Sequence, residues 1–424
     1  MSRRTRTARR PASGATGSGN SSATGATASD AIHVLVVAHG PPLRGGIATV
    51  AADLVDDPDL DAEFDVEFLN TAQNDAERGK FSLANVTRVT RDATETFRRS
   101  RAGTVVHTHS VHYPAPVVWR QVAVAAAARL RGAAVLNHNH AQPPYMERPG
   151  EWEVSRLNAW GFAALDRLVE ATILIADAGV PNLRRYMAHT ELPVVHNSIV
   201  VDDVERSSAV HDPPVLLFIG ELLERKGLVV LLDALDLLAE RGSTIGAPGR
   251  PGDVELRIIG DDRPGLDPLK DQMVALVRAR GHRDALTGPL ERAEVYRHLS
   301  QADLYVFPTF TEGQPFTVIE SLVAGVPLVA SDIQAISNMI EDGTHGRLVP
   351  LHDPTAVADA IEALLADPDR RRTMSDACRR RAKERFDSPV FSARIAELYR
   401  AAGNARGERS RLRAGRARIA AIQR

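Results

Sequence analysis

The stretch ADLYVFPTFTEGQPFTVIESLVAGVPLVASD at positions 302–332 decides the fold. DLYVFP is a short apolar run that predicts a buried strand, the segment after Gly313 predicts a helix, and VPLVAS predicts the next strand. A strand, a helix and a second strand in this order are typical of a parallel sheet, because parallel neighbours need a long crossover. Glu312 follows the first strand directly, and Glu320 lies inside the helix.

Similar apolar runs recur along the chain and alternate with longer amphipathic segments. The further predicted strands are IHVLVV (32–37), TVVHTH (104–109), AAVLN (133–137), ATILIA (171–176), PVVHN (193–197), VLLFIG (215–220) and VELRIIG (254–260). This alternation predicts an α/β fold whose parallel sheets carry helices on both faces. The stretch 201–214 has few apolar residues and separates the strands into two series. We therefore predict two Rossmann-like domains, over 31–205 and 213–387, that face each other across a cleft.

The two ends of the chain differ from these domains in composition. Residues 1–30 form a basic arm rich in Gly, Ser and Ala, which predicts disorder. We predict a helix at 388–402 that packs back on the first domain, followed by a basic tail at 403–424. The two basic ends offer a peripheral contact to an anionic membrane surface, and a solvated tail without such a contact is the alternative.

The overall composition excludes several classes of protein. The chain has 424 residues and a formal net charge of −2, so no basic field favours nucleic acid as a partner. Its one cysteine, Cys378, permits neither an internal disulfide nor a cysteine metal cage. No apolar run approaches the length of about 18–20 residues that a membrane span requires.

Charged residues follow two strands of the second domain. VLLFIGELLERKG ends its strand at Gly220 and then places Arg225 and Lys226 before a helix, an arrangement suited to a phosphate. A solvated loop explains this stretch equally well. Glu320 lies three residues after Thr317, so a capping box can also account for it. Taken together, the cations, the helix start and the carboxylates predict a site for a sugar joined to a diphosphate.

An ordered set of motifs resembles glycosyltransferase family 4. The set comprises GELLERKG, LTGPL, PTFTEG with the E-x7-E pair, AGVP and EDGTHGRLVPLHDP, and the resemblance covers roughly 32–400. It implies the GT-B fold, with an acceptor domain first and a nucleotide-sugar donor domain second. Many members of the family carry arginine just after the glycine of the first donor-domain strand, where this chain has Glu221.

The resemblance also implies roles for individual residues. Glu312 would contact the sugar hydroxyls and Glu320 the ribose, while Arg225 and Lys226 would neutralise the diphosphate. The remaining residues implied in donor binding cradle the diphosphate or flank the base, and they are Gly313, Gln314, Pro315, Phe316, Thr317, Gly220, Gly260, Gly288 and Leu290.

In the first domain, PPLRGGIATV places Gly45 and Gly46 between a strand and a helix, where glycine lets the backbone approach an anion. A simple tight turn is the alternative. By the resemblance, His109 and His140 would face the cleft and contact donor or acceptor. Structural histidines remain the alternative for the others.

Five histidines lie in HTHSVHYP (107–114) and NHNHAQPPY (137–145). The H-x-H pairs direct their rings to one face of a strand, but no neighbouring carboxylate or thiol completes an evident ligand set. The Asp-x-Asp spacings at 57–61 and 367–369 are typical of caps and turns. The sequence therefore predicts no metal and no cofactor beyond the co-substrate.

These features predict a retaining hexosyltransferase that moves a sugar from a nucleotide-diphosphate sugar to a glycan, a glycolipid or a related acceptor, as in polysaccharide biosynthesis. The candidate acceptor loops are 79–88 and 142–152. A sugar-nucleotide epimerase, a phosphorylase of the same fold and a non-catalytic sugar-nucleotide-binding protein are the alternatives. We expect a cytoplasmic protein, at the inner membrane surface if the acceptor is lipid-linked.

Overall fold

The computed structural model describes residues 31–40, 43, 46–72, 83–111, 115–140, 155–177, 179–206, 211–241, 254–263, 265, 267–404 and 411–423. The predicted arm at 1–30, Gly45, the loop 142–152 and residues 79–82 of the loop 79–88 lie outside these residues. The strands are β1 Ile32–Ala38, β2 Phe64–Asn70, β3 Val105–Ser110, β4 Ala134–Asn139, β5 Ala171–Leu174, β6 Val215–Ile219, β7 Glu255–Ile259, β8 Leu286–Gly288, β9 Leu304–Phe307, β10 Leu328–Ser331 and β11 Gly346–Val349.

The helices of the first series are α1 Gly46–Val55, α2 Pro58–Glu63, α3 Leu83–Arg99, α4 Ala115–Leu130, α5 Arg156–Asp166 and α6 Gly179–Arg184. Those of the second series are α7 Leu228–Glu240, α8 Pro268–Ala279, α9 Arg292–Ser300, α10 Phe316–Ala324, α11 Gln334–Ser337, α12 Pro354–Leu365 and α13 Pro368–Arg385. Two further helices, α14 Ser388–Gly403 and α15 Arg411–Ile422, complete the described chain.

The strands form two parallel sheets, which confirms the predicted α/β class. The first sheet has the order β2-β1-β3-β4-β5, and the second has the order β11-β10-β9-β6-β7-β8. Each order reverses at one point, between β1 and β3 in the first sheet and between β6 and β9 in the second. Ligands of open parallel sheets bind at the carboxyl ends of the strands beside such a reversal.

The alternation of side chains along β1 shows how the first sheet is covered. Val34 and Val36 enter a core that α1 and α14 cover, whereas Leu35 and Val37 enter the opposite core under α4 and α5. All four side chains are at most 3% exposed. A strand buried on both faces appears in sequence as a continuous apolar run, and IHVLVV has that form.

The chain passes between the domains twice, and the two crossings lie side by side. The first crossing contains Ile199, and the second contains Phe386 to Ser388. Ile199 of the first crossing accepts a hydrogen bond from Ser388 N (3.1 Å) and donates to Phe386 O (2.9 Å) of the second. The Asp387 carboxylate accepts from Val201 N (3.1 Å), and it also caps α14. After this crossing, α14 packs on the first sheet, where the Tyr399 side chain is fully buried.

The predicted strands differ from the structure at PVVHN and at three strands that were not predicted, namely β2 and the short β8 and β11. PVVHN makes only isolated bridges, such as Leu174 with Val194, because the chain leaves the sheet edge there. Strand β2 was not predicted, because it lies at the edge of the sheet and most of its side chains are partly or fully exposed. Its sequence therefore lacks a buried apolar run.

The segment predicted as a basic tail contains α15, which packs on the first domain. The Ile419 side chain is fully buried in the same core as Tyr399. Arg411 donates to Gly132 O (3.1 Å), and Arg416 donates to Val169 O (2.9 Å). At least two arginines of this segment are thus engaged by the fold, so composition alone was misleading. Among the described residues, no helix combines the length and the apolar character needed to cross a membrane.

Candidate active site

Two loops meet at the reversal point of the second sheet. One follows β6 and contains the 3₁₀ turn Glu224–Lys226, and the other follows β9 and leads into α10. The loops are joined at Arg225, whose carbonyl accepts from Phe310 N (2.8 Å) and from Thr309 Oγ1 (3.1 Å). The predicted cations and the predicted sugar-binding carboxylate therefore lie on one rigid unit.

Gly227 explains how the two loops approach so closely. Its φ is +78°, and a Cβ added there would lie 1.8 Å from Pro308 O. Any other residue would require the backbone of one loop to move. The glycine of Lys-Gly at the start of α7 is thus a packing requirement of the site.

An ion pair joins the two loops at the centre of the site. Lys226 Nζ lies 2.5 Å from Glu312 Oε1, and the side chains are 13% and 10% exposed. Thr309 Oγ1 lies 3.2 Å from the same carboxylate oxygen, and Lys226 Nζ lies 5.6 Å from the centre of the Phe307 ring. Partial burial strengthens this pair relative to a surface pair. An anion that reaches Lys226 would therefore compete with Glu312.

Arg225 is held less firmly than Lys226. It forms an ion pair with Glu221, one helical turn earlier in the loop, and the two side chains are about half exposed (45% and 58%). Exposed pairs of this kind contribute little, in the range of about 0–1 kcal/mol. Glu221, which departs from the family pattern, thus restrains Arg225 weakly.

Glu320 occupies a different environment. The residue is 9% exposed, and no hydrogen bond or ion pair to its carboxylate occurs among the described residues. Burial raises its pKa to about 7, and the positive charge of Arg292 opposes that rise. A carboxylate without partners in such a place is suited to accept hydrogen bonds from a ligand.

The capping explanation for Glu320 does not hold. Helix α10 has Pro315 at its N-cap and no side-chain cap, so Thr317 is the second helical residue and not the cap. Its hydroxyl lies 2.8 Å from the Tyr305 hydroxyl. A capping box requires the hydroxyl residue at the N-cap, so this alternative is removed.

The start of α10 also contacts the first domain. Gln314 is 6% exposed, its Oε1 accepts from Asn197 N (2.6 Å), and its amide nitrogen lies 2.8 Å from His196 Nδ1. Phe316 packs on the cores of both domains, and a Cβ added to Gly46 would lie 3.3 Å from its ring. Gly46 at the start of α1 therefore lies against the predicted diphosphate cradle, whose Gly313 and Pro315 precede the helix.

The other predicted glycines cluster at neighbouring strand ends. Gly220 N donates to Ile259 O (3.0 Å), and a Cβ added to Gly260 would lie 2.6 Å from Gly220 O. Gly288 has a φ of +74° and would bring a Cβ to 3.2 Å from Asp262. Leu290 packs partly buried on the second core. The strand-end turns thus form one continuous wall beside the charged loops.

His109 and His140 lie together, but they differ in exposure. The Nδ1 of His109 lies 2.9 Å from the Nε2 of His140. His109 is only 1% exposed, whereas His140 is partly exposed at the end of its strand. His140 can contact a cleft ligand directly, and His109 reaches one only through its neighbours. His112 lies outside the described residues.

Sequence reasoning missed two residues beside Glu320. Arg292 begins α9, and its Nε donates to the Tyr296 hydroxyl (2.5 Å). Burial raises the pKa of Tyr296 to about 12, and the charge of Glu320 adds to that rise. Arg292 and Tyr296 line an inter-domain pocket with Asp53 of α1 and with Ser198, which precedes Ile199 of the first crossing. Arg292 stands two residues after the LTGPL motif, so a longer motif would have included it.

The pocket at the reversal point of the first sheet is the other candidate binding site. It is lined by His39 after β1, Ser110 at the end of β3 and residues of α1, α3 and α4. Two arginines contribute to the wall. Arg120 is paired with Asp92 (2.9 Å), and Arg88 donates to Asn85 (2.8 Å).

Comparison with known proteins agrees with this architecture. Sucrose-phosphate synthase from Thermosynechococcus elongatus superposes with a TM-score of 0.68 at 17% identity, covering 87% of this chain and 98% of that one. The structure of Anabaena Alr3699/HepE in complex with UDP-glucose superposes with a TM-score of 0.63 at 16% identity, covering 86% and 98%. The fold is that of the GT-B glycosyltransferases, as the sequence predicted.

The sequence comparisons match part of the chain to one family. Residues 213–367 match the family model "Glycosyl transferases group 1". The alpha-D-kanosaminyltransferase of Streptomyces kanamyceticus is 29% identical over 194 residues, which are 45% of this chain and 47% of the relative. A phosphatidyl-myo-inositol mannosyltransferase of Mycolicibacterium smegmatis is 35% identical over 187 residues, 43% and 44% of the two chains. These matches span about half the length of the curated relatives. The second domain thus resembles the group 1 glycosyltransferases, and this finding agrees with the predicted resemblance.

Proposed function

We propose that this protein is a retaining glycosyltransferase whose donor is a nucleotide-diphosphate sugar. The observation that carries the proposal is the Lys226–Glu312 pair at the reversal point of the second sheet, beside the start of α10. The pair combines a cation for the diphosphate with a carboxylate for sugar hydroxyls, on the two loops that such a donor would bridge. No metal is required for this chemistry.

The donor orients along the wall of strand-end turns. The diphosphate lies between Lys226 and the first turn of α10, where backbone N–H groups lack helical partners. The ribose reaches the buried Glu320, and the base lies near Gly288 and Leu290. Gly46 closes the phosphate region from the side of the first domain. Arg225 leaves Glu221 to make a second contact with the diphosphate.

In the transfer, the bond between the anomeric carbon and the diphosphate oxygen breaks, and its electron pair leaves with the diphosphate. The acceptor hydroxyl oxygen bonds to the anomeric carbon on the same face, and its proton goes to the departing diphosphate. Lys226 and the α10 N–H groups stabilise the charge that develops on that group. Glu312 orients the sugar and forms no covalent intermediate.

The acceptor binds at the pocket between β1 and β3 of the first sheet. That pocket contains Asn85 and Arg88, which belong to the predicted loop 79–88 but lie in helix α3. A relative named as a phosphatidyl-myo-inositol mannosyltransferase supports an acceptor among glycolipids or their polyol headgroups. Such an acceptor would bring the protein to the cytoplasmic surface of a membrane.

The experiment is an acceptor-dependent assay with a panel of nucleotide sugars. Release of nucleoside diphosphate and formation of a glycoside with the anomeric configuration of the donor are the expected results. An inverted product would contradict retention. A requirement for inorganic phosphate would indicate a phosphorylase. Conversion of the donor to another nucleotide sugar without an acceptor would indicate an epimerase. Binding of donor without turnover for any acceptor would indicate a binding protein.

A further inference from the structure

Four histidines of the first sheet meet on one face. Strands β3 and β4 are parallel neighbours, with His109 opposite His138 in register. His107 and His140 lie two residues away on the respective strands, so all four side chains point to the same side. Neighbouring ring centroids are 4.2–5.4 Å apart. Only the pairing of the two strands brings these rings together.

Three of these rings carry buried nitrogen atoms without partners. His107 and His138 are fully buried, and His109 is 1% exposed. The Nε2 atoms of His107, His109 and His138 and the Nδ1 of His138 have no hydrogen-bond partner among the described residues. Buried polar atoms almost always have a partner, and an exception of this size requires an explanation.

The outer contacts of the cluster define which nitrogens are available. His107 Nδ1 lies 2.8 Å from the Tyr399 hydroxyl, and His109 Nδ1 lies 2.9 Å from His140 Nε2. With the proton of each ring on Nδ1, both contacts are donated outward and both Nε2 atoms present a lone pair inward. Burial lowers the pKa of His107 to about 3 and that of His109 and His138 well below the ordinary value. Neutral imidazole is the form that binds metals.

We propose that His107, His109 and His138 bind one late first-row divalent metal ion, for which Zn²⁺ is the probe. One ligand atom from each ring lies within 4.8 Å of the others. Binding requires the rings to rotate until these atoms lie about 2.0–2.1 Å from the ion, the usual Zn–N distance. A ligand set of imidazoles alone favours Zn²⁺, Ni²⁺ or Cu²⁺ over Mg²⁺ and Ca²⁺.

The proposed ion connects elements that are distant in the chain. It joins β3 to β4 directly, and it reaches α14 through the hydrogen bond between His107 and Tyr399. Hydrogen bonds of this kind fix the ring orientation and tautomer of a metal-ligating histidine. Because α14 follows the second domain, the ion would stabilise the docking of the returning chain on the first sheet. The site is on a different sheet from Lys226 and Glu312.

The sequence alone predicted no metal here, because no carboxylate or thiol lies near the H-x-H pairs. Each pair by itself offers only two ligands. The third imidazole comes from the neighbouring strand, and that adjacency depends on sheet order.

The test is metal binding to the full-length protein after treatment with a chelator. Calorimetric titration with Zn²⁺ is expected to show one tight site per chain, and Co²⁺ is expected to give the visible absorption of a low-symmetry nitrogen site. Both experiments use the wild-type protein and thus do not depend on a variant that folds. Absence of a tight site in the wild-type protein would overturn the proposal.

Variants then assign the site to this cluster. His138→Ala is expected to abolish the tight Zn²⁺ site, while His189→Gln, which removes an exposed histidine, is expected to retain it. Equal Zn²⁺ affinity in both variants would place the ion elsewhere. Tyr399→Phe removes only the outer contact and is expected to weaken Zn²⁺ binding by about 10–100-fold. An unchanged affinity in Tyr399→Phe would contradict the assignment of His107.

Discussion

The ends of the two sheets differ in the charge of the side chains that they carry. The second sheet ends in charged loops, where Lys226 and Glu312 neutralise each other, while the first sheet ends near four imidazoles that burial keeps neutral. Both arrangements avoid an isolated buried charge, which is costly. We call the end of the second sheet with Lys226 and Glu312 the charged edge, and the end of the first sheet with His107, His109, His138 and His140 the imidazole edge. The charged edge avoids an isolated charge by pairing it with a partner that a ligand can displace. The imidazole edge avoids it because its histidines lose their protons. This difference separates a binding site for an anion from a site suited to a metal cation.

The largest expected effect concerns the backbone of the charged edge. Gly227→Ala places a Cβ against Pro308 O at a positive φ, so we expect a loss of stability of at least about 3 kcal/mol or failure to fold. Gly46→Ala is the matched control, because its Cβ meets only the Phe316 ring at 3.3 Å. Chemical denaturation of both variants measures the difference. Equal stability would show that the two loops are not locked together.

Removal of the cation tests the function of the charged edge. Lys226→Ala is expected to lower kcat for sugar transfer by about 10²–10³-fold, because charge on the departing diphosphate loses its main electrostatic partner. Circular dichroism and donor-free thermal unfolding control for the fold. Transfer at the wild-type rate would contradict the role given to the pair.

Acid is expected to destabilise the imidazole edge. His107 and His140 have pKa values lowered to about 3 by burial, so the unfolded chain binds more protons than the folded chain once the pH falls below about 6.5. The stability that these groups contribute is therefore complete above that pH and is lost progressively toward pH 3. We expect the free energy of unfolding of the metal-free protein to fall steeply between pH 7 and pH 5.

A variant assigns this acid effect to the cluster. His107→Gln is expected to reduce the slope of unfolding free energy against pH, whereas the exposed His189→Gln leaves it unchanged. If the two variants give the same slope, the cluster titrates in the folded state as it does in the unfolded chain.

Glu320 is expected to show the opposite pH dependence. Its folded-state pKa of about 7 exceeds the ordinary glutamate value of 4.5, so the folded protein binds the extra proton and loses stability as the pH rises from about 4.5 through 7. That difference corresponds to about 3 kcal/mol, since one pKa unit equals about 1.4 kcal/mol. Glu320→Gln should therefore be more stable than the wild-type protein at pH 8, with little difference near pH 4.5, and it should bind donor more weakly. Equal pH dependence in the two proteins would argue against the burial of this carboxylate.

Arg225 should have the smallest effect of the charged groups. It is half exposed and paired with Glu221 on the surface. We expect Arg225→Ala to change stability by less than about 0.5 kcal/mol and to lower transfer only several-fold, far less than Lys226→Ala. A loss as large as that of Lys226→Ala would give Arg225 the principal role.

The sequence predicted the charged edge better than the imidazole edge, for a physical reason. Lys226 and Glu312 each lie in the loop that follows a strand, and strand ends converge at the reversal point of a parallel sheet. The reversal depends on the order of strands in the sheet, which local sequence patterns do not contain. The motifs that resemble glycosyltransferase family 4 nevertheless implied that these two loops meet. Three further features depend on contacts that are distant in the sequence. They are the exposed edge strand β2, the hydrogen bond between Asn197 and Gln314, and the packing of Ile419. Those contacts leave no periodic pattern in the sequence.

The most direct test of the central claim is acceptor-dependent release of nucleoside diphosphate, measured for the wild-type protein and Glu312→Gln with the same nucleotide sugar. Glu312→Gln keeps the shape of the side chain and removes the charge that pairs with Lys226. The account predicts release by the wild-type protein, with retained configuration in the product, and a rate lower by at least about 10²-fold in the variant. Equal rates in the two proteins, or no release with any nucleotide sugar and acceptor, would contradict it.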